Sequence, residues 1–320
     1  MTTRDSATVH VVAYALWPSL KSNKQDQSVN PWTQALTALP MNPSLQTLSH
    51  TSIHPAPPLP ADSPCCAHEL AFAQALGWSV PPSLLPMAAW QAAQLGLTGN
   101  ADPAWAFIDL VNCEFNQGRV RIRLPQGLSS DDSLAFMHAM QGFFLEDGIA
   151  LHPVSPGRFL AHSSIFAGLP CVTTERACLQ DMHALHDVAE LSTQTPAQRL
   201  LRRLQNEMQM LFYTHALNAD RAQTINSFWV SGCGELPTHT RTNVQLHMPL
   251  REAYLQHDTT AWAATWSTLA QQLLAPALQQ GERVVLCGVD RCLTLQASAT
   301  PWWQRLWQSL RSVHWVERLS

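Results

Sequence analysis

The sequence predicts an α/β chain of mixed α+β type, with mixed or antiparallel sheet elements and flanking helices. Three observations carry this. A valine-rich run near the N-terminus, TVHVVAYAL, is followed by Ala- and Leu-rich helical stretches. Trp105 to Ser163 reads as a ββαββ unit. Arg199 to Gly234 runs from an amphipathic helix through a tight turn into a short apolar strand and ends in a glycine pair.

Taken in order, Thr8 to Leu16 is the first predicted strand, ended by Trp17-Pro18. Lys21 to Pro64 is rich in Ser, Asn, Gln and Pro, including HPAPPLP at His54 to Pro60, and reads as surface loop with short helices at Pro31–Leu39 and Ser44–Leu48. Cys65 to Leu76 and Ser83 to Leu95 follow as helices, the second punctuated at its end by Gly96 and Gly99. Trp105–Phe115 and Arg119–Leu124 alternate around Asn116-Gln117-Gly118, the pattern of a hairpin. A helix over Asp131–Leu145 takes Ser130 as its expected N-cap. Ile149–Val154 and Arg158–His162 form a second hairpin. Thr195-Pro196-Ala197-Gln198 is a capping box with proline at the first helical position. It opens a helix with Leu200, Leu201, Leu204, Met208, Leu211 and Phe212 at helical spacing. A strand at Ile225–Val230, helices at Leu250–Gln256 and Ala261–Gln279, and a hairpin of Glu282–Leu286 with Cys292–Ala297 follow. A Trp-rich helix starts at Pro301. The expected division is residues 1–100, a strand, a proline-rich loop and helices, and residues 101–320, a mixed α/β region.

Composition bounds the function classes. Of 320 residues, 46% are hydrophobic and 13% charged, enough apolar material for a sizeable core. A net charge of -4 argues against broad nucleic-acid or anionic-membrane binding. No apolar run is long enough to span a bilayer, and the N-terminus lacks the pattern of a signal peptide. Lys21 and Lys24 are the only lysines. The arginine bias could suit phosphate or carboxylate recognition, but follows more simply from GC-rich coding. The eight cysteines are scattered, without a C-x-x-C pair, and read as mostly buried reduced thiols of a cytoplasmic protein.

Few motifs carry chemistry. His183 and His186 stand three residues apart, and on a helix would share a face able to hold a metal with Asp187 nearby. Fourteen histidines also produce such pairs by composition. There is no G-x-S-x-G elbow, P-loop or dinucleotide fingerprint, so no cofactor is expected. Cys65-Cys66 at a helix start is an activated thiol pair or two small buried residues. Arg199, Arg202, Arg203 and Arg221 make a basic face beside an H-x-x-N turn; an anion among them and a solvated helix face are both consistent with the sequence.

His215-Ala216-Leu217-Asn218, Arg221 and the run Asn226 to Gly234 (NSFWVSGCG) resemble the H-P-V-N turn, following arginine and N-x-x-W-x-W-G-x-G segment of the archaeal-type cofactor-independent phosphoglycerate mutases. The L-Q-N-E-x-Q-M helix, here Leu204 to Met210, resembles a bacterial group carrying the mutase name or the label RpfE-type regulatory protein. Ala216 replaces the proline of the turn, and Ser231 the second tryptophan. The resemblance implies a phosphate-handling ancestor that needs a metal-binding Asp after the first strand, a Ser or Thr nucleophile and a later Asp/His cluster. Leu16-Trp17-Pro18 stands where that Asp is expected, and no catalytic residue is assigned. The expected ligand site is His215, Asn218, Arg221, Asn226, Gly232 and Gly234, with glycines letting a ligand approach the backbone. The competing account is that His215 and Asn218 only fix the turn through hydrogen bonds to the backbone. A non-catalytic binding or regulatory protein is expected, with a mutase or related phosphotransferase and a protein-interaction adaptor as alternatives. The expected partners are a small phosphorylated or carboxylate ligand and a protein, not nucleic acid or membrane.

Overall fold

A computed structural model describes residues 7–16, 51–97, 104–116, 119–179, 182–183, 195–219 and 221–297. In chain order the elements are β1 (Val9–Val12), β2 (Thr51–Pro55), α1 (Ala67–Ala75), α2 (Met87–Gln94), β3 (Ala104–Asn116), β4 (Arg119–Arg123), α3 (Ser130–Glu146), β5 (Ala150–Ser155), β6 (Arg158–His162), α4 (Thr174–Leu179), β7 (Met182–His183), α5 (Pro196–Tyr213), β8 (Ser227–Glu235), β9 (Val244–His247), α6 (Arg251–Leu255), α7 (Thr259–Leu269), α8 (Ala275–Gln279), β10 (Arg283–Cys287) and β11 (Cys292–Ala297). The predicted mixed α/β class is what forms.

The chain divides into two compact units. One comprises Met1–Ser79 with His239–Ser320, and the other is Val80–Thr238, so the second is inserted within the first rather than following it at residue 100. Sequence order hides this, because β1 finds its partners more than two hundred residues downstream.

The discontinuous unit holds a five-stranded sheet in the order β2-β11-β10-β1-β9. β1 pairs parallel with both β9 and β10, while β10–β11 and β11–β2 are antiparallel. β1 is buried throughout, as expected for a parallel strand covered on both faces. α1 lies against β1 and β10, and α8 against β10 and β11. The long predicted helix is present but broken: a π-helical turn over Ala270–Leu274 joins α7 to α8, which carries Pro276. Proline lacks the N–H for an α-helical bond and its ring crowds the preceding turn, so the wider π turn accommodates it. β2 and β9 were not expected. β2 lies in the proline-rich stretch as an edge strand, where proline is tolerated. β9 is only four residues long and its pattern is too short to stand out.

The inserted unit is built on β3. Along the first half of β3, β6 pairs with one edge and β8 with the other; β4 pairs with its second half. The ββαββ unit thus forms as predicted, all antiparallel. Ala104, Ala106, Ile108 and Leu110 face a core made with Phe136, Met140, Phe144, Leu204, Met208 and Phe212 of α3 and α5. On the opposite face Trp105 and Phe107 meet Ala88, Ala89 and Ala92 of α2, and Val111 meets Ile122 and Ala177. This is the period-2 alternation of a strand buried on both sides.

Local starts and stops follow sequence chemistry. Thr195 and Gln198 form the predicted capping box of α5. α3 begins one residue earlier than expected, because Ser129 rather than Ser130 accepts from the Asp132 N–H. The predicted helix at Ser83 splits: Pro82–Leu84 is one 3₁₀ turn, and α2 starts only after Pro86. Leu85 is extended (φ -73°, ψ 109°), as steric conflict with a following proline ring demands. The Pro31–Leu39, Ser44–Leu48 and Pro301 helices lie outside the described residues. No helix among those described is long and apolar enough to cross a membrane.

Candidate functional site

The H-x-x-N turn is held by its own side chains. After α5 ends, Ala216–Asn218 makes one 3₁₀ turn with His215 as N-cap. His215 Nδ1 accepts from Leu217 N–H at 3.3 Å, and its ring stacks on Phe136 at 4.5 Å. Buried Asn218 is engaged at both ends of its amide. Its Nδ2 donates to the carbonyls of Phe212 (2.7 Å) and Ile225 (2.8 Å), and its Oδ1 accepts from Ile225 N–H (2.9 Å). Asn218 therefore ties the end of α5 to the entry of β8. Asn226 acts similarly: Oδ1 accepts from Cys113 N–H at 2.7 Å and Nδ2 donates to Cys113 carbonyl at 2.9 Å. Its amide adds one rung to the β3–β8 ladder. Arg221 Nη2 donates to Gln126 carbonyl at 2.8 Å, while its buried Nε has no hydrogen-bond partner among the described residues.

The glycine pair is not part of that turn. β8 runs five residues beyond the predicted Val230, and Gly232 and Gly234 sit within its far half. At about 3.3 Å per residue along the strand they lie roughly 20 Å and roughly 26 Å from Asn226. Gly232 has φ +63°, and a Cβ there would stand 2.8 Å from Phe107 and 3.1 Å from the Ala88 nitrogen. A Cβ on Gly234 would stand 3.1 Å from Pro86. The glycines admit the N-terminus of α2, and the group that approaches them is protein. Of the six residues, His215, Asn218, Arg221 and Asn226 belong to one turn and its strand entry; Gly232 and Gly234 belong to another region.

Between these ends lies a polar cluster that the sequence reading missed. Buried Asp109 faces Arg158 across the β3–β6 ladder. Arg158 donates Nε and Nη2 to its two carboxylate oxygens at 2.6 and 2.9 Å. Thr174 Oγ1 donates to Asp109 Oδ2 at 2.5 Å and lies 2.9 Å from Ser231 Oγ. Since Thr174 has one hydroxyl proton and gives it to Asp109, Ser231 is the donor to Thr174. Arg158 also covers the Phe107 ring at 4.7 Å. The available signal was an aspartate interrupting the apolar run WAFIDLV.

Beside it, the β3–β8 register skips between Trp105 and Phe107, forming a bulge. Cys171 receives hydrogen bonds there from the Cys233 thiol and from the N–H groups of Cys233 and Gly232. The Cys233 thiol bond, opposed by burial and aided by the two backbone donors, pulls the Cys171 thiol below its ordinary range. Its partner Cys233 is pushed well up, first by that same bond and then by burial.

In the discontinuous unit, two further features stand out. His10 Nε2 meets Glu282 Oε2 at 2.8 Å and His10 Nδ1 meets His247 Nε2 at 3.1 Å. If the carboxylate accepts from Nε2–H, His247 must donate Nε2–H and keep its lone pair on Nδ1, a carboxylate–imidazole–imidazole relay. Desolvation, then the charge of His10, lower the His247 pKa. The second feature is the turn after β1. Ala13, Tyr14, Ala15 and Leu16 are fully buried. Tyr14 takes φ 59°, rare for a residue with a side chain. Trp262 Nε1 donates to Tyr14 carbonyl at 2.8 Å and Trp266 Nε1 to Ala15 carbonyl at 3.0 Å. Ala15 N–H bonds Cys287 carbonyl at 2.8 Å.

The helix on which the histidine pair would share a face does not begin at His183. Met182–His183 is extended and pairs with β4, while His186 and Asp187 lie outside the described residues. Among the described residues no three His, Cys, Asp or Glu side chains gather as a metal site.

No protein-family model and no curated protein matches this chain. Solved structures do. A cofactor-independent phosphoglycerate mutase from Thermoplasma acidophilum DSM 1728 is 12% identical with a TM-score of 0.34, covering 92% of this chain and 91% of its own. The PH0037 protein from Pyrococcus horikoshii is 11% identical with a TM-score of 0.45, covering 91% and 87%. The likeness to mutase-like folds is distant. No residue role is transferred from it.

Proposed function

We propose that this chain is a non-catalytic binding or regulatory protein on a phosphoglycerate-mutase-like scaffold. The observation that carries the reading is the turn after β1. Ligands of open α/β sheets bind outside the carboxyl ends of parallel strands. Here the residues that follow β1 are apolar and fully buried, and two tryptophans cap their carbonyls. A divalent metal needs oxygen or nitrogen ligands at that place, and Ala13 to Leu16 offer no side-chain carboxylate or imidazole. The engagement of Asn218 and Asn226 with backbone partners also supports a structural use of the resembling motif.

The ligand of this reading is a small phosphorylated or carboxylate molecule near Arg221, whose Nε is unpaired among the described residues; a protein partner belongs to the same proposal. Metal analysis of the purified full chain, with a manganese-supplemented mutase assay, tests the non-catalytic part. Sub-stoichiometric metal and no turnover are expected; bound metal with turnover would overturn it. Titration with 3-phosphoglycerate followed by Trp fluorescence tests the anion site, which is wrong if Arg221→Ala leaves the response intact.

A further inference from the structure

We propose that Cys287 and Cys292 are a modification site: a reversible disulfide that closes the β10–β11 hairpin in response to a low-molecular-weight disulfide oxidant. The proposal is independent of the function proposed above.

The argument begins with register. Cys287 and Cys292 stand directly opposite each other on adjacent antiparallel strands. Such positions alternate between hydrogen-bonded and non-hydrogen-bonded pairs, and the latter bring the side chains closer. Cys287 carbonyl accepts from Ala15 N–H at 2.8 Å, toward β1, and Cys292 carbonyl accepts from Ala56 N–H at 3.0 Å, on the β2 side. The adjoining rung, Gly288 N–H to Arg291 carbonyl at 2.8 Å, closes the turn. Both cysteines thus point their backbone groups away from each other, and the pair is non-hydrogen-bonded. Its Cα separation is then about 4.5 Å, inside the window of about 4.4–6.8 Å that a disulfide spans without backbone movement.

The side chains have already met. The two sulfurs lie 2.9 Å apart, and Cys292 Sγ also approaches Ala67 carbonyl at 3.5 Å. Forming the bond requires that two thiol protons and two electrons leave and that the sulfurs close up. Cys287 is 0% exposed and Cys292 8%, so Cys292 is the sulfur an oxidant reaches first. Burial and the neighbouring thiol hold the Cys287 thiol protonated, so Cys287 is not the first nucleophile.

With oxidised glutathione as oxidant, Cys292 loses its proton and attacks one glutathione sulfur, expelling one glutathione thiolate. Cys287 then loses its proton and attacks Cys292 Sγ, expelling the second. Two protein thiols become one disulfide, and the two electrons and two protons end on two molecules of glutathione. The link would fix the strand end whose carbonyl anchors Ala15, next to the buried turn after β1.

The test uses the reduced full-length chain, equilibrated with oxidised and reduced glutathione mixtures, acid-quenched and alkylated. Trypsin cuts after Arg283, Arg291 and Arg305, so the two cysteines fall on separate peptides. The expected product is those two peptides joined, two hydrogens lighter than their thiol forms together and separated by dithiothreitol. Oxidation should raise the Tm by about 5 °C, a rise absent from a Cys287→Ser/Cys292→Ser variant. The proposal is overturned if both peptides come out alkylated, if each carries its own glutathione, or if either cysteine is joined to Cys65, Cys66 or any other. The peptide readout uses the native chain, so misfolding of the serine variant does not blunt it.

Discussion

Asn218 shows how much one side chain contributes. It makes three hydrogen bonds to the backbone at the α5–β8 junction. Asn218→Ala leaves buried donors and acceptors unpaired and should cost about 2–4 kcal/mol in urea denaturation. Arg221→Ala, whose described bond is a single exposed contact, should stay within about 0.5 kcal/mol. Asp109 is the second decisive residue. It is 2% exposed, and Arg158→Ala would strand its charge, with an expected loss of about 3 kcal/mol. The double variant Asp109→Leu/Arg158→Met should recover much of that loss, because it removes the buried charge rather than isolating it. Equal losses in the single and double variants would show that packing, not charge, holds the site. The sequence offered a turn-fixing role for His215 and Asn218 as one of two readings, since side-chain amides and imidazoles next to a helix end readily bond the backbone. It did not make Asp109 legible, because its meaning depends on Arg158 and Thr174, which meet it only across the sheet and from a separate helix.

Among elements, β8 and α3 place glycine under opposite constraints. Gly232 has φ +63° and Phe107 within 2.8 Å of the added Cβ position. Gly232→Ala should therefore destabilise by at least about 2 kcal/mol, from backbone strain plus repacking. Gly142 lies inside α3 with nothing within 4 Å of an added Cβ. Gly142→Ala should stabilise by about 0.5–1 kcal/mol, mostly by restricting the unfolded chain. Paired thermal or chemical melts of the two variants check the contrast. Elements with local signals were legible: the capping box of α5, both hairpins of the ββαββ unit, and helix α1. The bounds of β8 were not, because a glycine pair ordinarily ends a strand, and here a bulge with α2 packed over it lets the strand continue.

For the whole molecule, acid should act through two histidines, one in each compact unit. Desolvation, then the neighbouring histidine's charge, lower both His152 and His247 in the folded state from an ordinary value of 6.5. The unfolded chain binds these protons more readily, so their stabilising contribution is complete above about pH 6.5 and is lost as pH falls through the lowered folded values. Urea midpoints measured from pH 7.5 down to 5 should fall, and fall less steeply in His152→Gln and His247→Gln variants. A slope unchanged in both variants would assign the loss to other groups. By itself the sequence determined the α/β class, the two hairpins, the capped helix α5 and the turn that follows it, because each rests on contacts within a few residues or on a local alternation of apolar and polar positions. Only the tertiary structure decided that Val80–Thr238 is an insertion, that β1 lies between β9 and β10, that the glycine pair faces α2, and that Asp109 and Cys287 have partners. Those contacts join residues far apart in the chain, and their energy depends on which surfaces pack together, a quantity no local pattern of residues encodes.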